Sequence, residues 1–179
     1  MTNQIFQFIP FDFPTLAAYI SLLLGIGLIV LLVKVKPMPV SAKSASLGMV
    51  IFVLGLLIWT FIKAYNANVM INGDKLLVNI PLYGTELALS SLQLDKAQII
   101  DLSDSDAPKF KYRSNGMSLM SYKLGWFKLQ ESVNGNDKAL LSVSDSSHVL
   151  VIPTKEGYIL ILSVEQPKAL LESLTAATV

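Results

Sequence analysis

Residues 45–80 read ASLGMVIFVLGLLIWTFIKAYNANVMINGDKLLVNI, and the character of the chain changes once along them. Ala45 to Ile62 is a run of 18 residues without a charge. As a helix it spans about 27 Å, close to the ~30 Å hydrocarbon core of a bilayer. No polar stripe of helical period interrupts it, so it does not read as a helix lying on a membrane surface. From Tyr65 onward the repeat becomes two. Ala67-Asn68-Val69-Met70-Ile71 reads as a strand. Asn72-Gly73-Asp74-Lys75 reads as a tight turn, because Asn-Gly accepts positive φ cheaply. Leu76 to Ile80 is the return strand, stopped by Pro81. Only Lys63 and Ala64 separate the membrane helix from the sheet, so the sheet is expected to sit against the bilayer and not on a flexible stalk.

Upstream lies a second run of the same kind, Thr15 to Val33, 19 residues without a charge. A signal peptide is the alternative for this run, but it calls for a basic leader and a shorter apolar stretch. Residues 1–14 carry no Lys or Arg. Between the runs, Lys34–Ser44 holds Lys34, Lys36 and Lys43 with Pro37 and Pro39, enough for a tight return only. The expectation is therefore a transmembrane hairpin, with spans at about 15–33 and 45–62. Small residues are candidates for the contact between its helices: Ser21 and Gly25 on the first, Gly48 and Gly55 on the second. Glycine is also simply frequent in membrane helices.

Charge divides the chain in the same place. Residues 1–63 hold four lysines against Asp12 alone, and residues 64–179 hold ten Lys/Arg against twelve Asp/Glu. With three lysines between the spans, the positive-inside rule puts the Lys34–Ser44 loop in the cytoplasm and both termini, with the β domain, on the extracytoplasmic side of a bacterial inner membrane. Phe6, Phe8, Phe11 and Phe13 before the first span, and Trp59, Phe61 and Tyr65 closing the second, would form one aromatic belt on that side. There is no cysteine, which removes disulfides, thiolate catalysis and Cys-ligated zinc. Neither part is basic enough to point to nucleic acid.

The remainder reads as β structure. Leu87–Leu94 is an ambiguous apolar stretch, Ala97–Leu102 a firm strand, Lys109–Ser114 a short one, and Asn115-Gly116 a turn. Tyr122–Leu129, Ala139–Ser144, Val149–Ile152 and Tyr158–Leu162 complete seven firm strands. Gln166 or Ser163 can cap a final helix over about 166–176, and Pro167 suits its first turn. Leu170, Leu171 and Leu174 share one face of it. The expected fold class is α+β: residues 1–64 an N-terminal segment and hairpin, residues 65–179 a seven-stranded antiparallel barrel or sandwich capped by a C-terminal helix.

That order of elements is similar to the pleckstrin-homology (PH-like) architecture. Arg113-Ser114-Asn115-Gly116, followed by Tyr122-Lys123-Leu124-Gly125-Trp126-Phe127, resembles a bacterial pleckstrin-homology domain family in which an Arg-x-Asn-Gly turn precedes a Gly-Trp-Phe strand. Gly157–Ser163, with Glu165 and Pro167, resembles that family's last strand and helix start. The resemblance covers about residues 66–175. A glycine is expected just before the tyrosine, and this chain has Ser121. Members often follow membrane spans, and the motif residues Arg113, Asn115, Gly116, Tyr122, Gly125, Trp126 and Phe127 carry no catalytic content. Phosphoinositide binders of the wider superfamily cluster cations at the first hairpin. Here that hairpin has Lys75 beside Asp74, which leaves little field for a polyphosphate.

Candidate sites have two readings each. Lys109, Lys111 and Arg113 alternate with Phe110 and Tyr112; extended, three cations share one face, with Lys123 nearby. They form a patch for anionic headgroups or an acidic partner, or a solvated strand face beside Asp101, Asp104 and Asp106. Those aspartates lack the spacing of a calcium loop and read as a solvated turn. His148, in a turn with Asp145, Ser146 and Ser147, has no partners for a metal or a triad and reads as a surface residue. Trp126 and Phe127 point to opposite faces, one into the core. No cofactor and no metal is called for, and no enzyme activity. The function expected is a membrane-anchored interaction module for a protein partner or lipid headgroups. The alternative is an accessory subunit of a larger membrane complex, and a homo-oligomer is compatible with either.

Overall fold

Asp12 starts the first helix: its carboxylate accepts the Thr15 N–H at 2.9 Å, and Pro14 occupies the first turn. In the computed structural model, which describes residues 4–178, helix α1 runs Phe13–Val35 and α2 runs Val40–Tyr65. Both are long and apolar enough to cross a membrane, which supports a membrane protein. The connection is tighter than expected. Lys34 lies in the last turn of α1 and Lys43 in the first turn of α2, so only residues 36–39 lie between the helices.

The helices do not meet through glycine. A Cβ on Gly25, Gly48 or Gly55 would meet nothing within 4 Å, and Ser21 is exposed, so the small residues do not line the contact. Aromatic groups join the helices where they meet the domain. Tyr19 donates its hydroxyl to the carbonyl of Leu57 at 2.9 Å, and its ring lies 4.8 Å from that of Phe61. Phe61 in turn lies 5.7 Å from Phe11, and Phe11 meets Tyr122 of the β domain edge-on at 4.7 Å. The expected belt is thus divided. Phe6, Phe8 and Phe11 turn into the domain, while Phe13, Trp59 and Tyr65 stay exposed.

The β domain begins before the two long helices. Gln4–Gln7 forms strand β1, which pairs antiparallel with β2, Asn68–Asn72, directly after α2. The N-terminal segment therefore belongs to the domain and not only to the hairpin. β3 (Lys75–Asn79) and β4 (Thr85–Ala88) complete a four-stranded sheet in the order β1-β2-β3-β4. The ambiguous apolar stretch Leu87–Leu94 divides between the end of β4 and two 3-10 turns, Leu89–Ser91 and Leu94–Lys96. The second sheet uses β5 (Gln98–Ile100), β6 (Phe110–Leu119), β7 (Tyr122–Val133), β8 (Asn136–Val143), β9 (Val149–Pro153) and β10 (Ile159–Leu162) in the order β5-β9-β10-β8-β7-β6.

Two differences from the expected sandwich matter. The chain has ten strands among the described residues, and they are not all antiparallel: β10 inserts between β8 and β9 and runs parallel to β8. The sheets are joined only by single bridges, Phe8–Val164 and Leu92–Thr154, so no continuous ladder closes a barrel.

The core has two layers. Leu76, Val78, Leu140, Ile152 and Leu160 pack between the sheets under helix α3, Pro167–Thr178, whose Leu170 and Leu174 are buried. Alternate residues of the same strands, Leu141, Val151, Ile159 and Ile161, face a second cluster with Phe127 and Leu129. Both faces of β8, β9 and β10 are thus covered, which is why Val149–Ile152 and Ile159–Leu162 are continuous apolar runs.

Buried polar groups are paired where β8 and β10 end. Ser144 N donates to the Ser163 hydroxyl at 2.8 Å, and the Ser144 hydroxyl donates to the carbonyl of Ile9 at 2.5 Å. With Ile9 N donating to Ser163 O at 2.9 Å and Glu165 N to Gln7 O at 3.0 Å, the segment before α1 is tied to the far end of the chain.

Candidate functional site

The motif residues lie on the β6–β7 hairpin, but Asn115-Gly116 is not its turn. Both residues are inside β6, opposite Trp126 and Gly125. The turn is Met120-Ser121, and positive φ falls on Met120 (50°). The Ser121 hydroxyl hydrogen-bonds that of Thr15 at 2.8 Å, so the hairpin tip is fixed to the start of α1.

The paired glycines explain the motif. Gly116 has φ 145° and Gly125 φ 107°. A Cβ on Gly116 would come 2.1 Å from the carbonyl oxygen of Leu124, and one on Gly125 would come 2.5 Å from that of Asn115. Only glycine permits this approach of two backbones. The ring of Tyr83 lies over Gly125, and its hydroxyl donates to Asn115 Oδ1 at 3.0 Å. Trp126 meets Tyr158 edge-on at 5.0 Å, while Phe127 faces the second core layer beside Phe110. A cleft of 390 Å³ results, lined by Asn115, Trp126, Tyr158, Lys138 and Glu156 among others. Its lining offers aromatic faces, an amide and one charge of each sign.

The cation row is rearranged by bulges. Phe110 opposes Leu129, Tyr112 opposes Lys128 and Arg113 opposes Phe127, with register shifts on either side of Tyr112-Arg113. Lys111 is the extra residue of the first shift, so simple alternation does not put Lys109, Lys111 and Arg113 on one face. Lys111 and Arg113 are exposed along β6, an edge strand. Lys123, opposite Ser118, instead shares a concavity of 450 Å³ with Lys109, Ser103, Gln130 and Ser146. Among the described residues the ion pairs are Lys75–Glu86 and Lys128–Asp137, so none of the four candidate cations has a carboxylate partner within 4 Å. Sequence reasoning did not associate Ser103 or Ser146 with this patch, because they arrive from separate loops with no local motif to announce them.

The acidic loop is occupied with its own backbone. Asp101 accepts the Ser103 N–H at 2.8 Å and the Ser103 hydroxyl, and these bonds hold its carboxyl below the ordinary range. The Asp145 carboxylate accepts the Ser147 N–H and hydroxyl, both at 2.7 Å. His148 has φ 54° and lines a 340 Å³ hollow with Asp101, Asp104 and Asp106. Among the described residues no group of three or more His, Cys, Asp or Glu side chains is arranged to hold a metal ion. No protein-family model matches this chain, and no curated protein or solved structure matches it either.

Proposed function

We propose that this chain is a bacterial membrane-anchored interaction module with a PH-like β domain and no catalytic role. The observation that carries the reading is the split domain. β1 precedes the first span, β2 follows the second, and the two are hydrogen-bonded neighbours. The hairpin must therefore enter and leave on one side of the bilayer, with the domain held at its surface. Two residues join α2 to β2, too few for a flexible tether. Lysine placement favours the extracytoplasmic side for the domain and the cytoplasm for residues 36–39.

Two features supply the contact surface for a protein partner or anionic headgroups. One is the Trp126–Tyr158 cleft. The other is the group of unpaired cations Lys109, Lys111, Arg113 and Lys123. Each cation near an anionic surface adds about 1 kcal/mol of attraction.

The test is purification of the full chain from native membranes in mild detergent. A stoichiometric protein that is lost when Lys109, Lys111 and Arg113 are changed to alanine supports a module acting through this patch. A stoichiometric protein retained by that variant points instead to an accessory subunit held through the helices. Release of the chain by a carbonate wash, without detergent, overturns the membrane reading altogether.

A further inference from the structure

Outside the helices, the exposed large apolar side chains of the described residues are Ile5, Met38 in the connection between α1 and α2, Leu82, Tyr112 and Met120. Leu82 and Met120 share three properties. Each sits in a short connection between strands, Leu82 between β3 and β4 and Met120 between β6 and β7. Each holds a left-handed backbone, φ 65° and 50°, that side chains rarely adopt. Each is more than half exposed, 60% and 64%.

Both lie at the end of the domain from which the helices leave. Met120 precedes Ser121, whose hydroxyl is 2.8 Å from that of Thr15 in the first turn of α1. Its depth is therefore that of Phe13, itself 81% exposed. Leu82 follows Asn79, which pairs with Asn68 and donates its side-chain N–H to Asn68 Oδ1 at 2.8 Å. Asn68 is three residues past Tyr65, the exposed last residue of α2. The connection at residues 80–84 thus projects beyond β3 toward the level of Tyr65. Phe13 and Tyr65 are aromatic residues at helix ends, where such rings sit at the membrane interface.

We propose that Leu82 and Met120 insert into the bilayer interface and form two further anchor points beside the helices. Strained backbone persists where the surrounding structure imposes it and tends to mark contact sites. Here it turns an apolar side chain outward at a turn position ordinarily given to glycine. With the hairpin, the two loops make three supports for the domain and fix its tilt as well as its distance from the lipid. This inference rests on the membrane-spanning reading of α1 and α2.

The chain contains no cysteine, so a single introduced thiol labels one position. L82C and M120C in the full chain are labelled with a nitroxide and reconstituted into phosphatidylcholine–phosphatidylglycerol vesicles. Collision rates with oxygen and with a water-soluble nickel chelate are then measured. D74C, in the β2–β3 turn at the opposite end, is the aqueous reference, and L28C, mid-way along α1, is the lipid reference. The expected result is an oxygen-to-nickel ratio at 82 and at 120 several-fold above that at 74. A ratio at either position no higher than at 74 overturns the proposal, and so does a label shielded from both reagents, which would mean protein covers it. If the label at 28 reports lipid while 82 or 120 reports water, the spanning reading stands and the anchor points alone fail. A label at 28 open to the chelate overturns both.

Discussion

Replacing glycines one at a time separates backbone that is crowded from backbone that is only unusual. For Gly116→Ala, the new Cβ would meet Leu124 O at 2.1 Å and the Gly125 Cα at 3.0 Å, both backbone atoms, at φ 145°. Neither atom can swing away as a side-chain tip would, so β6 and β7 must part locally. Strain at such a φ costs about 1–3 kcal/mol and the forced shift about as much again, giving roughly 4 kcal/mol. Gly125→Ala meets Asn115 O at 2.5 Å and Gly116 Cα at 2.7 Å, so a similar loss is expected. Gly135, in the β7–β8 turn, has φ 80° but open space around it; Gly135→Ala should cost only the left-handed backbone, about 1–2 kcal/mol. Gly55, in α2, has neither crowding nor positive φ, so alanine there should leave stability unchanged or raise it by about 0.5–1 kcal/mol. Because Gly116 and Gly125 face each other, the double variant should lose less than the two singles together, since strands already parted admit the second methyl. The measurement is urea unfolding of the full chain in nanodiscs, followed by Trp126 fluorescence in a Trp59→Phe background. Equal losses at 116 and 135, or full additivity of 116 and 125, would refute the close-approach account of the motif.

Ser163→Ala removes the acceptor of the buried Ser144 N–H. It should destabilise the domain by about 1–3 kcal/mol in the same unfolding assay. Removing residues 1–9 takes away β1 and the packing of Phe6 and Phe8. Full burial of an aromatic is worth about 1.5–3 kcal/mol; for these two partly buried rings the loss is about 2–3 kcal/mol in all, detectable as faster proteolysis of the β domain while the hairpin stays in the membrane. Hydrogen bonding from Thr15 holds the Asp12 carboxyl below its ordinary value of 3.8. The folded state therefore binds fewer protons there than the unfolded one. That stabilisation is present above the ordinary value and is lost as pH falls through the lowered one. Asp12→Asn keeps the cap and should flatten this part of the acid limb of a stability-against-pH curve.

The hairpin, the turn at Asn72–Lys75 and the buried face of the last helix were legible because each depends on a local signal. A charge-free run, an Asn-Gly pair and leucines at helical spacing need no knowledge of the rest of the chain. β1 was not legible for the opposite reason. Gln4–Gln7 is an ordinary alternating segment whose partner lies more than sixty residues away across two long apolar helices, and its Phe6 suits a membrane interface as well as a core. The cation row failed at two bulges. Alternation holds only while register holds, and the extra residues Lys111 and Ser114 break it on either side of Tyr112-Arg113.

Val149–Ile152 and Tyr158–Leu162 were read as strands, observed as Val149–Pro153 and Ile159–Leu162, but not for what their composition implies. An alternating strand has one wet face; these have none. Leu150, Leu160 and Ile152 serve one core layer, while Val151, Ile159 and Ile161 serve the other. A strand dry on both faces must lie inside its sheet with cover on each side, and such strands also tolerate a parallel neighbour. That neighbour is β8, and the parallel pair is what brings Ser163 beside Ser144 and both beside Ile9. The segment leading into α1 is thus held at the end of β10, a strand buried along its whole length. Force on the hairpin reaches the core directly, without a compliant linker between them. Any rearrangement of the helices should therefore register at β10 before it registers at the outer β6 edge. Hydrogen exchange at Ser163 and at Arg113, compared in bilayers of different thickness, would show the reverse order if the attachment were loose.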